Sequence, residues 1–253
     1  MRLTEALERH GSLLFRHRAL LIAPMIPLIW VALRHPPHWL RALGMEGADV
    51  LTGLCLGVSA LGLLLRALTV GFVPGGTSGR NTREQRAHAL NTLGAYSIVR
   101  HPLYVANFLI VLGLVAATLT PWLILTYVLG YALCIERIVA AEEGFLAQTY
   151  GEEYAAWCAR TPTFLPDPRL WRAPQLHFSP RTVLRREYNG VLGVALAYAV
   201  LEIARDVLVS HEPLRAWLIE DWYWAGLLAA ALLLFALLRT LKRHTRWLHV
   251  EGR

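Results

Sequence analysis

Residues 100–104, Arg-His-Pro-Leu-Tyr, bring a guanidinium, an imidazole and a phenol within five positions. Proline is well tolerated in the first turn of a helix, so Pro102 predicts a helix start with Arg100 and His101 just ahead of it. Free backbone N–H groups, the positive helix end and the guanidinium would together bind a carboxylate or a phosphate. The competing interpretation is an interfacial anchor, in which Arg100 and His101 reach lipid headgroups and Tyr104 lies in the aromatic belt.

A second group of chemically capable residues follows about 40 positions later. The adjacent carboxylates of Glu142 and Glu143 precede an apolar and aromatic stripe and could hold ribose hydroxyls and a cation, although a solvated acidic face is the alternative. Gly151 is a candidate C-cap for this helix. Residues at steps of three or four share one helix face, and this face contains Glu143, Leu146, Tyr150, Tyr154 and Trp157.

The elements that position these groups are apolar. The chain has 253 residues, of which 55% are hydrophobic and 17% charged, and its mean hydropathy is +0.40. Between the two groups, Leu103 to Ile135 carry no charged side chain. Helical membrane spans need about 17 to 25 residues, so the sequence predicts an all-α, polytopic transmembrane bundle. The six predicted spans are 19–33, 50–71, 104–119, 121–139, 188–209 and 222–238, the third and fourth forming a tight hairpin at Leu-Thr-Pro-Trp, 119–122.

The basic residues predict the orientation, since Lys and Arg accumulate in cytoplasmic loops. With the N-terminus inside, 20 of the 25 fall on the cytoplasmic side and three on the other. Both termini are therefore expected in the cytoplasm, where 72–100 and 136–187 would form a cofactor-binding cap. The corresponding regions are the N-terminal spans and loop (1–89), a core (90–170) and the C-terminal spans with a basic tail (171–253).

Cysteine and arginine usage narrows the possible partners. Cys55, Cys134 and Cys158 lack metal-ligand spacing and are expected to be buried free thiols, so no metal site is predicted. Twenty-four of the 25 basic residues are arginine, a compositional bias that does not indicate a nucleic-acid partner.

The two groups together resemble a known family. RHPLY ahead of a hairpin, then EEGFL, YG, Y, W and a terminal Pro-x-x-x-Pro, is similar to membrane methyltransferases that include isoprenylcysteine carboxyl methyltransferases and phospholipid N-methyltransferases. The resemblance covers about residues 90–168. Ala106 replaces a family glycine, Tyr150 a phenylalanine and Trp157 a tyrosine, and Ala106 leaves less room for close helix approach.

This resemblance implies an S-adenosylmethionine site. Its carboxylate would meet Arg100 or His101, and its sulfonium would meet carboxylate oxygens or a tyrosine face. The residues carried over to cofactor binding are Arg100, His101, Pro102, Tyr104, Glu142, Glu143 and Leu146.

The acceptor would be a membrane lipid or lipidated molecule bearing a carboxylate, phosphate or amine. Methyl transfer to an anionic oxygen needs mainly orientation and exclusion of water. An amine acceptor would need a base, for which Glu142 is the candidate. Arg137 is the candidate for holding an anionic acceptor, and Asn107 could add a hydrogen bond.

Other arginines are weaker candidates for acceptor binding. Arg80 lies in the glycine-rich loop 71–82, and Arg66 lies within the second span near its cytoplasmic end. Arg185 and Arg186 precede the fifth span, where surface anchoring is the alternative. The GTSGRNT and LRREY stretches resemble bacterial members of the family, which suggests a trait shared by a subgroup and fixes no substrate. The expected location is a bacterial inner membrane.

Three alternatives stay open at this point. Phospholipid or lipid A phosphate methylation competes with the isoprenylcysteine type. An NADPH-dependent reductase of the sterol-reductase type has a similar architecture, and a non-catalytic scaffold is the third. Within the fifth span, Glu202 is predicted to pair locally with Arg205 rather than to reach Arg66. The oligomeric state is open.

Overall fold

The computed structural model describes residues 3–17, 22–75, 77 and 89–253, and these contain helices without a strand. The all-α prediction is therefore confirmed. Arg80 and half of the glycine-rich loop 71–82 lie outside the described residues. The helices are α1 Leu3–Arg16, α2 Met25–Arg34, α3 His38–Phe72, α4 Ala95–Ile98, α5 Pro102–Ala116, α6 Pro121–Cys158, α7 Pro180–Ile203, α8 Leu214–Glu220 and α9 Trp222–His244; a 3₁₀ turn covers Pro168–Leu170 and a π-helical turn Ala204–Val209.

Three helical segments of the described chain are long and apolar enough to cross a membrane: Gly47–Phe72, Pro121–Cys158 and Trp222–His244. They contain the second, fourth and sixth predicted spans. The first and third correspond to the shorter apolar helices α2 and α5. The fifth corresponds to α7 and the π-helical turn, whose apolar run is interrupted by charged residues. Exposed apolar side chains on the long helices, such as Leu61, Leu64, Leu129, Leu133, Leu233 and Leu237, suit a hydrocarbon environment.

The predicted hairpin is present. Proline begins both of its helices, and residues 117–120 join them, with Leu119 at φ 54°. The Tyr131 hydroxyl donates to the Tyr104 carbonyl at 2.7 Å, and the Tyr127 hydroxyl donates to the Phe108 carbonyl at 3.0 Å. These bonds fix α5 against α6 and hence the start of α5 against the middle of α6.

Helix α1 packs on the cytoplasm-predicted extension of α6. Gly11 lies so close that a Cβ there would overlap the Arg137 carbonyl. Phe15 is buried with Ile135, Ile138 and Val139. The N-terminal segment, predicted only as a cytoplasmic tail, is therefore a helix that supports α6.

Helices α3 and α5 make a close contact at Ala106, where the family pattern has glycine. Ala106 is fully buried. The space at this contact is left by Gly62 on α3, where a Cβ would lie 2.7 Å from the Ala106 carbonyl oxygen and 2.7 Å from Ile110 Cγ1. At this contact close approach is thus provided by a glycine of α3, whereas further along it is Gly113 of α5 that lies against Ser59 and Cys55 of α3.

The two ends of the bundle are held by different polar contacts. At one end, Arg205 pairs with Glu202 at 3.1 Å and donates to the Ala117 carbonyl, which confirms the predicted local pair. At the other end, the Gly75 N–H donates to the Gly252 carbonyl at 2.8 Å, and Arg253 donates to the Gly71 carbonyl at 2.8 Å. The end of α3 therefore meets the chain's C-terminal segment.

Substitution of Gly62 by alanine tests the α3–α5 contact. We expect Gly62→Ala to lower thermal stability in detergent, since the added methyl would press on backbone and branched side-chain atoms. The matched control is Gly57→Ala on the same helix, where a Cβ would meet nothing within 4 Å and helix propensity favours alanine. Equal stabilities for the two variants would contradict the close contact.

Candidate active site

The segments before α5 and after α6 lie side by side. The Arg100 N–H donates to the Pro162 carbonyl at 2.8 Å, and the Asp167 N–H donates to the Ile98 carbonyl at 2.9 Å. The indole of Trp157 donates to the Tyr96 carbonyl at 3.1 Å. The proline-bearing tail therefore folds back over the Arg-His-Pro segment.

Glu143 is the centre of one cluster. Its Oε1 lies 2.8 Å from Arg100 Nη1 and 3.1 Å from His101 Nε2. His101 occupies the residue before α5 and is only 6% exposed. A carboxylate, a guanidinium and an imidazole thus lie together in a partly desolvated environment, where their interaction is stronger than in water.

Glu142 makes the second contact across the hairpin. The Tyr104 hydroxyl donates to Glu142 Oε2 at 2.9 Å, and His101 Nδ1 lies 3.9 Å from the same oxygen. The structure therefore brings both glutamates of the EEGFL segment to the side chains of the RHPLY segment.

Arg100 has further partners in the tail. Its guanidinium donates to the Cys158 thiol at 3.3 Å and to the Thr163 hydroxyl. Burial lowers the pKa of Arg100, but the Glu143 carboxylate and the other contacts more than offset this and the pKa is raised. Arg100 is therefore a permanent cation. All three cysteines are free thiols and half-buried rather than fully buried.

Two buried polar atoms of the site, the Tyr154 hydroxyl oxygen and Arg100 Nε, form no hydrogen bond with the described residues. Burial, contact with Cys158 and the Glu143 charge raise the pKa of Tyr154, so its phenol stays neutral. Although Tyr154 lies beside Arg100, neither its hydroxyl nor Arg100 Nε has a hydrogen-bond partner among the described residues. Both atoms are available to a polar ligand.

Gly151 was predicted to end the helix, and the first helical stretch of α6 does end there. Its backbone has φ 52° and ψ −121° within α6, a conformation that favours glycine. Helical structure resumes to Cys158, and this second stretch buries Tyr154 and Trp157. The break redirects the helix so that these aromatic residues close over the site.

The walls of the site are apolar and aromatic. The ring centroids of Tyr104 and Phe164 lie 5.7 and 6.3 Å from that of His101. Pro102 is buried, and Leu146 is half-buried one turn beyond the glutamates. Phe164, which was not predicted for the site, comes from the tail.

Arg66 and Asn107 have partners other than an acceptor. The Arg66 guanidinium binds both carboxylate oxygens of Glu187, at 2.8 and 3.2 Å, and donates to Asn107 Oδ1 at 2.5 Å. This network joins α3, α5 and α7. Because Glu187 neutralises Arg66, the structure does not present Arg66 as a free cation, and Asn107 lies against Arg66 rather than in the glutamate cluster.

Arg137 also differs from its predicted position. It donates to the Leu133 carbonyl one turn earlier on α6. At 100° per residue it projects about 120–140° around the helix from Glu142 and Glu143. The structure therefore separates Arg137 from the glutamates. The backbone carbonyl of Arg137 instead lies against Gly11 of α1.

Arg185 and Arg186 are half-buried at the start of α7. The Arg185 carbonyl accepts a hydrogen bond from Lys242 at 3.5 Å. Arg186 lies close enough to Tyr96 to affect its ionisation.

Tyr96 is a site residue that the sequence did not indicate. Burial raises the pKa of Tyr96, the Glu142 charge raises it further, and Arg186 and Arg66 oppose both. The Tyr96 side chain is therefore within electrostatic range of Glu142 and of Arg66 and Arg186. Its sole sequence signal is its position four residues before Arg100.

Comparison with known proteins is consistent with this geometry. Residues 77–153 match the sequence model described as phospholipid methyltransferase, a segment that includes the RHPLY and EEGFL residues. The match confirms the resemblance to membrane methyltransferases of this group. The all-α bundle with its apolar spans defines the class as a membrane protein.

Two curated relatives are similar to this chain. The cobalt-zinc-cadmium resistance protein CzcN of Cupriavidus metallidurans is 39% identical over 88 residues, which cover 35% of this chain and 40% of that protein. The nickel-cobalt-cadmium resistance protein NccN of Alcaligenes xylosoxydans xylosoxydans is 29% identical over 206 residues, covering 77% of this chain and 87% of that protein. No solved structure matches this chain. Within the described residues, no cluster of His, Cys, Asp and Glu has metal-binding geometry.

Removal of Glu187 tests the network that joins the three helices. We expect Glu187→Ala to lower the free energy of unfolding by about 2 to 3 kcal/mol, because it leaves the Arg66 charge partly buried. The Arg66→Met/Glu187→Leu double variant should recover most of this loss. Denaturant unfolding in detergent measures both, with Glu220→Ala, an exposed carboxylate at the end of α8, as control. A Glu187→Ala variant as stable as the control would contradict the proposed role.

Proposed function

We propose that this protein transfers a methyl group from S-adenosylmethionine to a polar group of a membrane lipid or lipidated substrate. The observation that carries the proposal is the convergence of Arg100, His101, Tyr104, Glu142 and Glu143 across the hairpin. These residues lie within the segment that matches phospholipid methyltransferases.

The side chains present suit this cofactor. Arg100 is already paired with Glu143, but its Nε has no hydrogen-bond partner among the described residues, so Arg100 and His101 would offer N–H donors to the cofactor's carboxylate. The carboxylates of Glu142 and Glu143 suit hydroxyl groups and a positive charge, and the Tyr104 ring beside His101 suits a cation. When bound, the cofactor supplies an electrophilic methyl group.

The protein's own contribution is orientation and exclusion of water. Three side chains of the site, His101, Tyr154 and Trp157, are each less than 7% exposed. They exclude water from the site, and this strengthens the polar contacts within it. Glu142 is held by the Tyr104 hydroxyl. For an amine acceptor, a Glu142 oxygen would take the proton; an anionic oxygen would need none removed.

We assign Tyr96 and Arg186 to the acceptor side, the part of the site that would bind the methyl acceptor. Tyr96 lies within electrostatic range of Glu142 and of Arg186, so it connects the proposed cofactor cluster to the start of α7. Arg186 is the candidate for attracting an anionic group such as a carboxylate or a phosphate. The apolar helices around this end would deliver a lipid-linked acceptor from the bilayer.

Cofactor choice is tested with a charge-removing substitution of Glu143. We expect the full chain in nanodiscs to bind S-adenosylhomocysteine, measured by calorimetry, and Glu143→Gln to weaken binding about tenfold or more, because Arg100 and His101 lose their shared carboxylate. Glu136→Gln, an exposed glutamate two turns earlier on α6, should bind as the wild type does. Binding of NADPH in preference to S-adenosylhomocysteine would instead indicate a reductase and refute the proposal.

The acceptor side is tested with Tyr96→Phe. We expect the rate of methyl transfer from radiolabelled S-adenosylmethionine into membrane lipids to fall about five- to tenfold, as for one lost hydrogen bond to a charged or polar group. Binding of S-adenosylhomocysteine should be retained. The control is Tyr223→Phe, whose hydroxyl bonds Asp221 at 2.9 Å near the start of α9. An unchanged Tyr96→Phe rate would remove this residue from the acceptor side.

A further inference from the structure

A cavity of about 190 Å³ lies between α4, the end of α6 and the 3₁₀ turn. This volume accommodates a group much larger than one water molecule. Its lining shares no side chain with the glutamate cluster. The polar side chains that line it are Thr92, Ser97, Arg160, Thr161, Arg169 and Arg172.

The cavity is strongly positive. Arg160, Arg169 and Arg172 all contribute to its lining, which contains no carboxylate. In the part of the chain that the structure describes, no carboxylate lies within ion-pair distance of these three guanidiniums. Asp167, close in sequence, accepts a hydrogen bond from the Arg169 backbone N–H at 3.0 Å and does not pair with a guanidinium. Three like charges around one cavity repel one another, and a bound anion would reduce this repulsion.

The cavity is built on a fixed backbone frame. The Arg172 N–H donates to the Ser97 hydroxyl at 2.9 Å, and the Gly94 N–H donates to the Arg172 carbonyl at 2.9 Å. Ser97 and Thr161 are buried and form its inner part, whereas the arginines are at its exposed side. The Ser97 hydroxyl donates to the Gly94 carbonyl at 2.7 Å, so it belongs to this frame, and the guanidiniums that line the cavity come from separate segments of the chain.

We propose that this cavity binds a phosphate group. The three guanidiniums that line the cavity carry many N–H donors, and a phosphate has more oxygens that accept hydrogen bonds than a carboxylate, which has two. Guanidinium forks also match phosphate geometry. The proposal is independent of methyl transfer, because no residue of the glutamate cluster takes part.

A membrane lipid is one source of this phosphate. Trp171, which lines the cavity, is 54% exposed, and Leu165 in the same tail is 83% exposed. Exposed tryptophan and leucine beside arginines are typical of a surface that meets lipid headgroups. A soluble phosphate offers the same chemistry, so the experiment has an arm for each source.

The test uses the purified full chain and two double variants of equal charge change. Arg169→Gln/Arg172→Gln removes two cavity cations, and Arg243→Gln/Arg246→Gln removes two exposed cations from the C-terminal region. Inorganic phosphate binding is measured by calorimetry in detergent. Lipid binding is measured by native mass spectrometry after release from phosphatidylcholine nanodiscs with and without phosphatidic acid.

We expect the cavity variant to lose about tenfold or more in affinity, and the control to stay within about twofold of wild type. Loss in the phosphatidic acid arm alone identifies a lipid phosphate, and loss in the inorganic phosphate arm alone identifies a soluble one. Equal affinities of the two variants in both arms would overturn the proposal. Retained S-adenosylhomocysteine binding verifies the fold, and the single variant Arg160→Gln, expected to lose several-fold, decides the question if the double variant misfolds.

Discussion

The ion pair between Arg100 and Glu143 is the contact on which the arrangement of this end of the molecule depends. The two residues are 43 positions apart in the sequence. The hairpin of α5 and α6 reverses the chain direction and so brings Glu143 back to the end of the bundle where Arg100 lies. The pair at 2.8 Å fixes the start of α5 against the middle of α6. Arg100 then extends to Cys158 and Thr163, which attaches the tail. One guanidinium thus holds the three segments that form the candidate site.

The membrane setting explains why Arg66 and Arg205 are paired. In a hydrocarbon-like environment an isolated charge is very costly, and a partner with good geometry is the way to keep it. Arg66 meets this condition with a bidentate carboxylate and an amide oxygen, and Arg205 with Glu202 and a backbone carbonyl. The arginines of the cavity, Arg160, Arg169 and Arg172, are different. They lie outside the spans and can stay solvated when no anion is bound.

Local motifs predicted the site better than long-range pairs. RHPLY and EEGFL were recognisable because proline position, helix period and spacing act over a few residues, and the uncharged hairpin between them limits how they can meet. The sequence did not reveal that Glu187 would pair with Arg66, because 121 residues separate them and LRREY is equally typical of a headgroup anchor. Arg137 shows the same limit: its position between charged neighbours suggested a site residue, whereas its angle on the helix separates it from Glu142 and Glu143.

Ala106 shows how such a substitution can be compatible with the fold. Close packing between two helices depends on the sum of the side chains at the contact, so a methyl added on one helix can be accommodated by a missing one on the other. Gly62 faces the Ala106 carbonyl and Ile110 and provides that space on α3. Because Ala106 lies between Tyr104 and Asn107, this contact also sets the position of α5, and with it the distance from Tyr104 to Glu142. The departure from the family pattern therefore changes which helix supplies the room and leaves the hairpin contacts of the site intact.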